Sequence, residues 1–338
     1  MQATVAANAV TPVIVGLHAS SATDAGPLRI TAANAHEGDA VEKTVKVHPD
    51  GEARSVTTSE LLRGGAKNTV VLNLPADAIA GSVHAQLLLY PNLGASVYHA
   101  MKAVLERPYG CAEQTISAAY PSLLFLEMET AAKHESAAKE QAQGYLQLGY
   151  DRLLGYFNTA GGVTYWGGND TTADAALTAY AIEFLSEAKP YVDVDQARIV
   201  SAVEWLLTKQ DKDGAWQPRY GTYSARESLY IASALAYPLR TADLSSAPND
   251  LSGRVKKAIA RAQEYAGRSV MALHDPYANA LRLALAAEAR DTSDIEPLRK
   301  ELITTAQNGR DGAYWEFDGI SPFYGWGTGG RLETTAMA

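Results

Sequence analysis

A turn built from glycine and an aromatic residue recurs along the chain from Gly161 onward, and it limits the fold more than any other feature. It stands as Gly161-Gly-Val-Thr-Tyr-Trp166, as Asp213-Gly-Ala-Trp216 and as Asp311-Gly-Ala-Tyr-Trp315. Each copy is followed by an acidic residue and a helix rich in small residues: Asp174 before Leu177–Phe184, Glu227 before Leu229–Ala236, and Glu333 before Thr334–Ala338. The acids lie 227 − 174 = 53 and 333 − 227 = 106 residues apart, so the second gap is double the first. A degenerate copy around Gly267 to Ala287 fills it. Such a period holds two helices with their loops. Hairpins of this kind set in a ring, with the glycine turns at one end and the small-residue helices crowded at the axis, form an α/α toroid. An open superhelix has the same periodicity, and the repeat alone does not separate the two. The last unit stops at Ala338, a turn or so into its helix, so the ring is expected to be incomplete at its C-terminus.

Before Tyr90 the pattern differs. Pro12–Leu17, Pro27–Ala32, Glu42–His48, Asn68–Leu74 and Ser82–Tyr90 alternate and read as strands, with turn-rich loops at Ala22–Gly26, Pro49–Gly51, Gly64–Gly65 and Pro75–Gly81. The expected fold is therefore mixed: an N-terminal antiparallel β-sandwich segment, then an all-α toroid of helical hairpins.

A formal net charge of −9 and the absence of a Lys/Arg-rich run argue against nucleic-acid binding. No apolar stretch approaches the roughly 18 residues of a membrane span. The apolar residues near Met1 lack a basic leader and read as strand, not signal peptide. The single cysteine, Cys111, rules out an internal disulfide and a multi-cysteine zinc site. No cofactor or metal is implied.

That cysteine sits in Arg107-Pro108-Tyr109-Gly110-Cys111-Ala112-Glu113-Gln114-Thr115, between a helix over 93–105 and another over about 112–130. Pro108 and Gly110 force a turn, and Cys111 falls at the start of the second helix. Exposed N–H groups and the helix dipole there favour a thiolate. Gln114, three residues on, shares its face. A thiolate in that position can attack the carboxamide carbon and displace ammonia, leaving an acyl group far more electrophilic than the amide, provided an apolar wrap keeps water away.

Pro-Tyr-Gly-Cys-x-Glu-Gln resembles the thioester motif of the α2-macroglobulin and complement family, whose thioester domain is a helical ring inserted into a CUB-type β-domain. The resemblance covers most of the chain. Residues 1–26 are similar to the end of a macroglobulin-like domain, 28–90 to the first half of the CUB-like domain, and 91–338 to an incomplete thioester domain. It implies that Cys111 supplies sulfur and Gln114 the acyl carbon, with Pro108, Tyr109, Gly110 and Glu113 as supporting residues. Glu113 equally suits the first helical turn by charge alone. Trp166, Trp216, Tyr220 and Tyr223 are candidates for shielding the bond, each with ordinary loop packing as its plainer reading. Some relatives place a histidine roughly a hundred residues after the cysteine, but none occurs here between His134 and His274. Direct attack by lysine amines is then expected to outrun transfer to hydroxyls. The implied function is a single-use, broad-range protease trap, not an enzyme, with target proteases as partners. The lone cysteine contrasts with disulfide-rich animal relatives and so implies a bacterial protein of the periplasm or cell envelope, its export signal outside this chain.

Other readings remain open at this point. A thioester adhesin or opsonin-like protein would use the same chemistry. Gln210-x-x-x-Gly214-x-Trp216 matches a turn of terpene cyclases, which share the toroid, but Asp193-Val-Asp195, the nearest candidate acid, reads as loop. A polysaccharide lyase would want a Tyr/His/Arg cleft that the sequence does not assemble. A cysteine nucleophile with a histidine base would leave Gln114 without a role, and His99 is close to Cys111 in sequence.

Overall fold

Small apolar residues at helical spacing decide which helices are enclosed. In the computed structural model, α4 (Ala175–Ala188) buries eleven of its fourteen residues, because neighbours cover it on several sides. α5 (Gln196–Lys209) buries only Ile199, Ala202, Val203, Trp205 and Leu206, the single stripe of a helix with one face in water. The structure describes residues 4–338 apart from 8, 49–50, 63–66, 68, 70, 72, 80, 134–135, 220, 222–223, 242–243, 245–246, 269–273, 290–291 and 310–311. The remaining helices are α1 (Leu93–Ala103), α2 (Ala112–Ala132), α3 (Ala137–Leu154), α6 (Ala225–Arg240), α7 (Leu251–Gly267), α8 (Pro276–Ala289), α9 (Thr292–Thr305) and α10 (Thr328–Met337).

The chain divides into two compact units, Met1–Leu89 and Tyr90–Ala338. The first contains an antiparallel hairpin of β1 (Thr23–Ala33) and β2 (Gly38–Val47), in register at Ile30 opposite Val41. Asn34 turns the chain by accepting from the N–H groups of His36 and Glu37, both at 2.7 Å. Thr23–Gly26, expected in a loop, instead opens β1 through an irregularity in the pairing. Pro12–Leu17 and Ser82–Tyr90, expected as strands, do not take strand form, and Asn68–Leu74 lies partly outside the described residues. Alternation only makes a strand where a partner closes the ladder, and Ile14 and Leu87 stay exposed. Among the described residues the sheet of this unit is the β1–β2 hairpin.

In the second unit α2, α4, α6, α8 and α10 each pack against the next, making an inner row. α3 backs α2, α5 backs α4, α7 backs α6 and α9 backs α8. Aspartates start several of these helices: Asp174 accepts from Leu177 N–H, Asp195 from Ala197 N–H and Asp250 from Gly253 N–H. Asp195, weighed above as a cyclase acid, is therefore a helix cap. Asp275 opens α8, accepting at its carbonyl from Asn279 N–H, and is the acid of the degenerate copy.

Each glycine–aromatic turn is tied to its inner helix by the same bond. The N–H of Val163 donates to Thr178 Oγ1, that of Trp216 to Ser228 Oγ, and that of Trp315 to Thr335 Oγ1. The indoles of Trp216 and Trp315 donate to the carbonyls of Leu206 and Leu302, one turn before the preceding helix ends. Gln210 Nε2 reaches both Gly214 and Ala258 carbonyls, so the cyclase-like turn serves architecture. The glycines are needed for two reasons. Gly161 and Gly214 both sit at φ +97°, and both approach the backbone of the next outer helix, at Ser201 and Arg261. A Cβ on Gly161 would lie 2.5 Å from the Ser201 carbonyl oxygen. Gly161→Ala is expected to cost about 2–4 kcal/mol, the sum of left-handed backbone strain and overpacking. Gly168→Ala, at φ +59° with open space around it, should cost only about 1–2 kcal/mol from strain alone. Thermal melts of the two variants check the difference.

Candidate functional site

Pro108 and Gly110 shape the entry to α2, and α3 holds the result in place. Pro108 is buried, close to Gly149 of α3, where the missing side chain lets α2 and α3 approach at Ala119. The Gly110 carbonyl accepts from Tyr156 Oη at 2.6 Å and from Arg152 Nη2 at 3.1 Å. Thr115 Oγ1 donates to the Tyr109 carbonyl at 3.3 Å, while the Tyr109 ring is exposed. The turn is therefore fixed through its backbone, with Gly110 at φ +77°.

Cys111 is the N-cap of α2, with extended backbone, and its thiol is buried. Gln114, at the third helical position, turns back so that its Oε1 accepts from Cys111 N–H at 3.1 Å, closing a capping box. The carboxamide is thus held against the backbone of the residue that carries the sulfur. A Cβ on residue 110 would strike the Gln114 carboxamide, so the glycine leaves the space that this amide occupies. Cys111 is buried whereas Gln114 is exposed. Glu113 accepts from Ser117 Oγ at 2.9 Å on the next turn. Ser117 Oγ in turn lies 3.2 Å from Tyr180 Oη of α4.

Among the described residues no histidine hydrogen-bonds Cys111, and His99 lies with its ring against Tyr90. Nor does any group of three His, Cys, Asp or Glu side chains there converge as metal ligands.

The first glycine–aromatic turn completes the site. The Tyr165 carbonyl accepts from Ala112 N–H at 2.9 Å, satisfying a donor that the helix start leaves open. Burial holds the Tyr165 phenol protonated, well above the ordinary tyrosine range, and the Asp174, Tyr324, Glu113 and Cys111 groups near it push in the same direction. The Arg219 guanidinium lies over its ring, 5.4 Å from the centroid. Trp166, next in sequence, is 72% exposed. Trp216 is fully enclosed between α5 and α6. Tyr220 and Tyr223 lie outside the described residues.

Tyr165, Arg152 and Tyr156 were not singled out by sequence. Tyr165 stood inside the repeated turn, masked by the larger indole beside it. Arg152 and Tyr156 reach Gly110 from more than forty residues away, and no local pattern announces that.

Two buried carboxyls stand behind Tyr165. Asp174 is raised by burial, against the opposing Leu177 N–H and Arg219. Glu227 is pushed up to about 8, first by burial and then by the Asp174 charge. A carboxyl raised in the folded state loses stability as pH climbs from its unfolded value, 4.5, to its folded one, because only the unfolded chain ionises freely over that range. The folded chain is thus favoured below pH 4.5 and penalised fully above about 8. Glu227→Gln is expected to melt like the parent near pH 4 and clearly higher at pH 8.5. An equal offset at both values would mean that Glu227 ionises normally.

Residues 85–322 match the profile of the A-macroglobulin TED domain. Thioester-containing protein 1 of Anopheles gambiae is similar in three alleles. The S1 allele is 27% identical over 314 residues, the S3 allele 26% over 314 and the R1 allele 25% over 315. Each alignment takes in 90% of this chain but 22% of the mosquito protein, so the chain spans about a fifth of those relatives' length. With most of its residues under that profile, the chain belongs to the A-macroglobulin TED domain family of thioester-containing proteins.

Proposed function

We propose that Cys111 and Gln114 join into an internal thioester and that the chain uses it to capture an attacking molecule covalently, a protease lysine above all. The observation that carries this reading is the capping box, which turns the Gln114 carboxamide back onto the residue bearing the thiol. In forming the bond, Cys111 gives up its proton and its sulfur adds to Gln114 Cδ. The C–N bond then breaks, and nitrogen leaves as ammonia with the proton. In capture, an amine nitrogen adds to Cδ, the S–C bond breaks, and the amine proton passes to sulfur, regenerating the thiol. Each molecule reacts once, so this is an inhibitor and not a turnover enzyme.

The packing of α2, α4, α6, α8 and α10 as an inner row supports the toroid, and the β1–β2 hairpin is compatible with part of a CUB-like domain. Protease trapping in particular rests on the family. The same bond in an adhesin or opsonin-like protein would meet a different target. We place the site of action outside the cytoplasm. The three relatives named above are mosquito proteins, and the bacterial and periplasmic part of the reading rests on the lone cysteine.

The intact mass of the native chain should be short by one ammonia, about 17 Da for the NH3 displaced in acyl transfer. Methylamine should then add to it and release one titratable thiol. Full mass with a free thiol from the start would remove the chemical basis of the reading. Cys111→Ser should lose capture yet keep its helical signal. Gly110→Ala should also lose the mass deficit, since its Cβ takes the place of the Gln114 amide. With no histidine among the described residues hydrogen-bonded to Cys111, methylamine should dominate over glycerol when both compete at equal concentration. A dominant glycerol ester would show hydroxyl transfer by another route.

A further inference from the structure

The peptide between Gly110 and Cys111 is held at both ends. Its carbonyl accepts from Tyr156 Oη at 2.6 Å and from Arg152 Nη2 at 3.1 Å, while its N–H donates to Gln114 Oε1 at 3.1 Å. Arg152 Nη2 also donates to Tyr156 Oη at 3.2 Å. These groups form one directed chain, from guanidinium to phenol to peptide to carboxamide. Arg152 stands in the last turn of α3, where the negative end of the helix dipole favours a cation, and Tyr156 follows just past the end of that helix.

The chain carries a charge that no acid neutralises. Among the described residues no carboxylate pairs with Arg152, and its buried Nε has no hydrogen-bond partner. The neighbouring Asp151 accepts instead from Gln147 Nε2 at 2.9 Å. The guanidinium is therefore directed at the Gly110 carbonyl and the phenol. Bonds from a charged donor are the stronger kind, and donors on a peptide carbonyl draw electron density away from its nitrogen. The Cys111 N–H at the far end of the same peptide becomes a better donor in consequence. Its acceptor, Oε1, is the atom that takes up negative charge when a nucleophile adds to Gln114 Cδ.

We propose that the Cys111 N–H is the oxyanion donor for both steps of the thioester chemistry, and that Arg152 and Tyr156 are positioning residues that strengthen it through the Gly110 carbonyl. This rests on the thioester reading of the pair. In formation, a sulfur electron pair adds to Cδ and the carbonyl pair moves onto Oε1, where the N–H holds it. That pair returns as the C–N bond breaks, and nitrogen departs as ammonia with the thiol proton. In capture, an amine nitrogen adds to Cδ and the same oxygen takes the charge. The S–C bond then breaks, and the amine proton passes to sulfur.

Two measurements keep the polarised peptide and the thioester apart. Because the chain has one cysteine, isotopic labelling of cysteine nitrogen gives one backbone amide signal, that of Cys111. A weaker hydrogen bond moves an amide proton upfield, so Tyr156→Phe and Arg152→Gln should each shift that signal upfield of the parent. Tyr156→Phe keeps the buried ring, which guards against a variant that merely fails to fold. An unmoved signal in both variants overturns the polarisation. An oxyanion donor is worth about a hundredfold to a thousandfold in rate, and a bond that polarises it adds about a tenth to three tenths of its strength. Each variant is therefore expected to slow methylamine cleavage by about two- to eightfold. A clamp that only held the turn would, once loosened, open the bond to methylamine and to water alike. Equal or faster cleavage in both variants thus overturns the oxyanion role. A parent of full mass overturns the thioester and the catalytic use of the N–H with it, while the cysteine signal still decides whether the peptide is polarised.

Discussion

The hydrogen bond from a turn N–H to a hydroxyl on the following inner helix is the interaction on which the helical unit depends. It appears at Val163 and Thr178, at Trp216 and Ser228, and at Trp315 and Thr335. An inner helix such as α4 is apolar over most of its surface and could slide or rotate against its neighbours with little change in buried area. A directional bond at one end removes that freedom, because a buried amide left without its partner would cost about 1–3 kcal/mol. The bond also brings each turn to the start of the helix that follows it. Since the inner helices pack in sequence, the first turn arrives beside the start of α2, where the Tyr165 carbonyl meets Ala112 N–H. The site is therefore a product of the repeat and not an addition to it.

At α2 the ordinary needs of a helix start place the two side chains together. The first amides of a helix lack intrahelical acceptors, and a glutamine at the third position can satisfy the N-cap amide by folding back. Gln114 does this, and the cost of ordering its side chain is met by a bond that any helix start welcomes. The uncommon element is the N-cap itself, a cysteine where serine or aspartate would cap better. Stability alone does not favour that choice, which points to the sulfur. The carbonyl of Gly110, clamped by Tyr156 and Arg152, keeps the turn from relaxing to a conformation in which the pair would separate.

Much of this was legible in the sequence, and the parts that were not share a physical reason. The repeated turn, the acids after it and the helices around Cys111 are local features, set by glycine conformation, capping and periodicity. Asp275 was missed because it lies 275 − 227 = 48 residues after Glu227, and a loop of altered length hides a copy from fixed spacing. The strands expected at Pro12–Leu17 and Ser82–Tyr90 had the right alternation, but pairing depends on a partner that alternation does not name. Tyr165 against Trp166 is a choice of one residue within a turn, decided by which carbonyl reaches Ala112. Phe323 lies against Tyr180 of α4 and Tyr230 of α6, a packing that no window of sequence contains.

The single cysteine acquires a meaning from this arrangement that its rarity alone does not supply. A thioester can be lost to water, to an amine, to a hydroxyl given a base, or to another thiol by exchange. Within these 338 residues no second thiol exists to exchange with it. Among the described residues no histidine reaches Cys111 to act as base. In the proposed thioester, burial of the sulfur beside an exposed Gln114 would leave the acyl carbon as the face open to attack. Water is abundant but weakly nucleophilic, whereas a lysine amine is rare and strong. An amine held nearby by its own protein attacks at high effective concentration. Stronger nucleophilicity and high effective concentration together therefore favour a tethered amine over water at the proposed thioester.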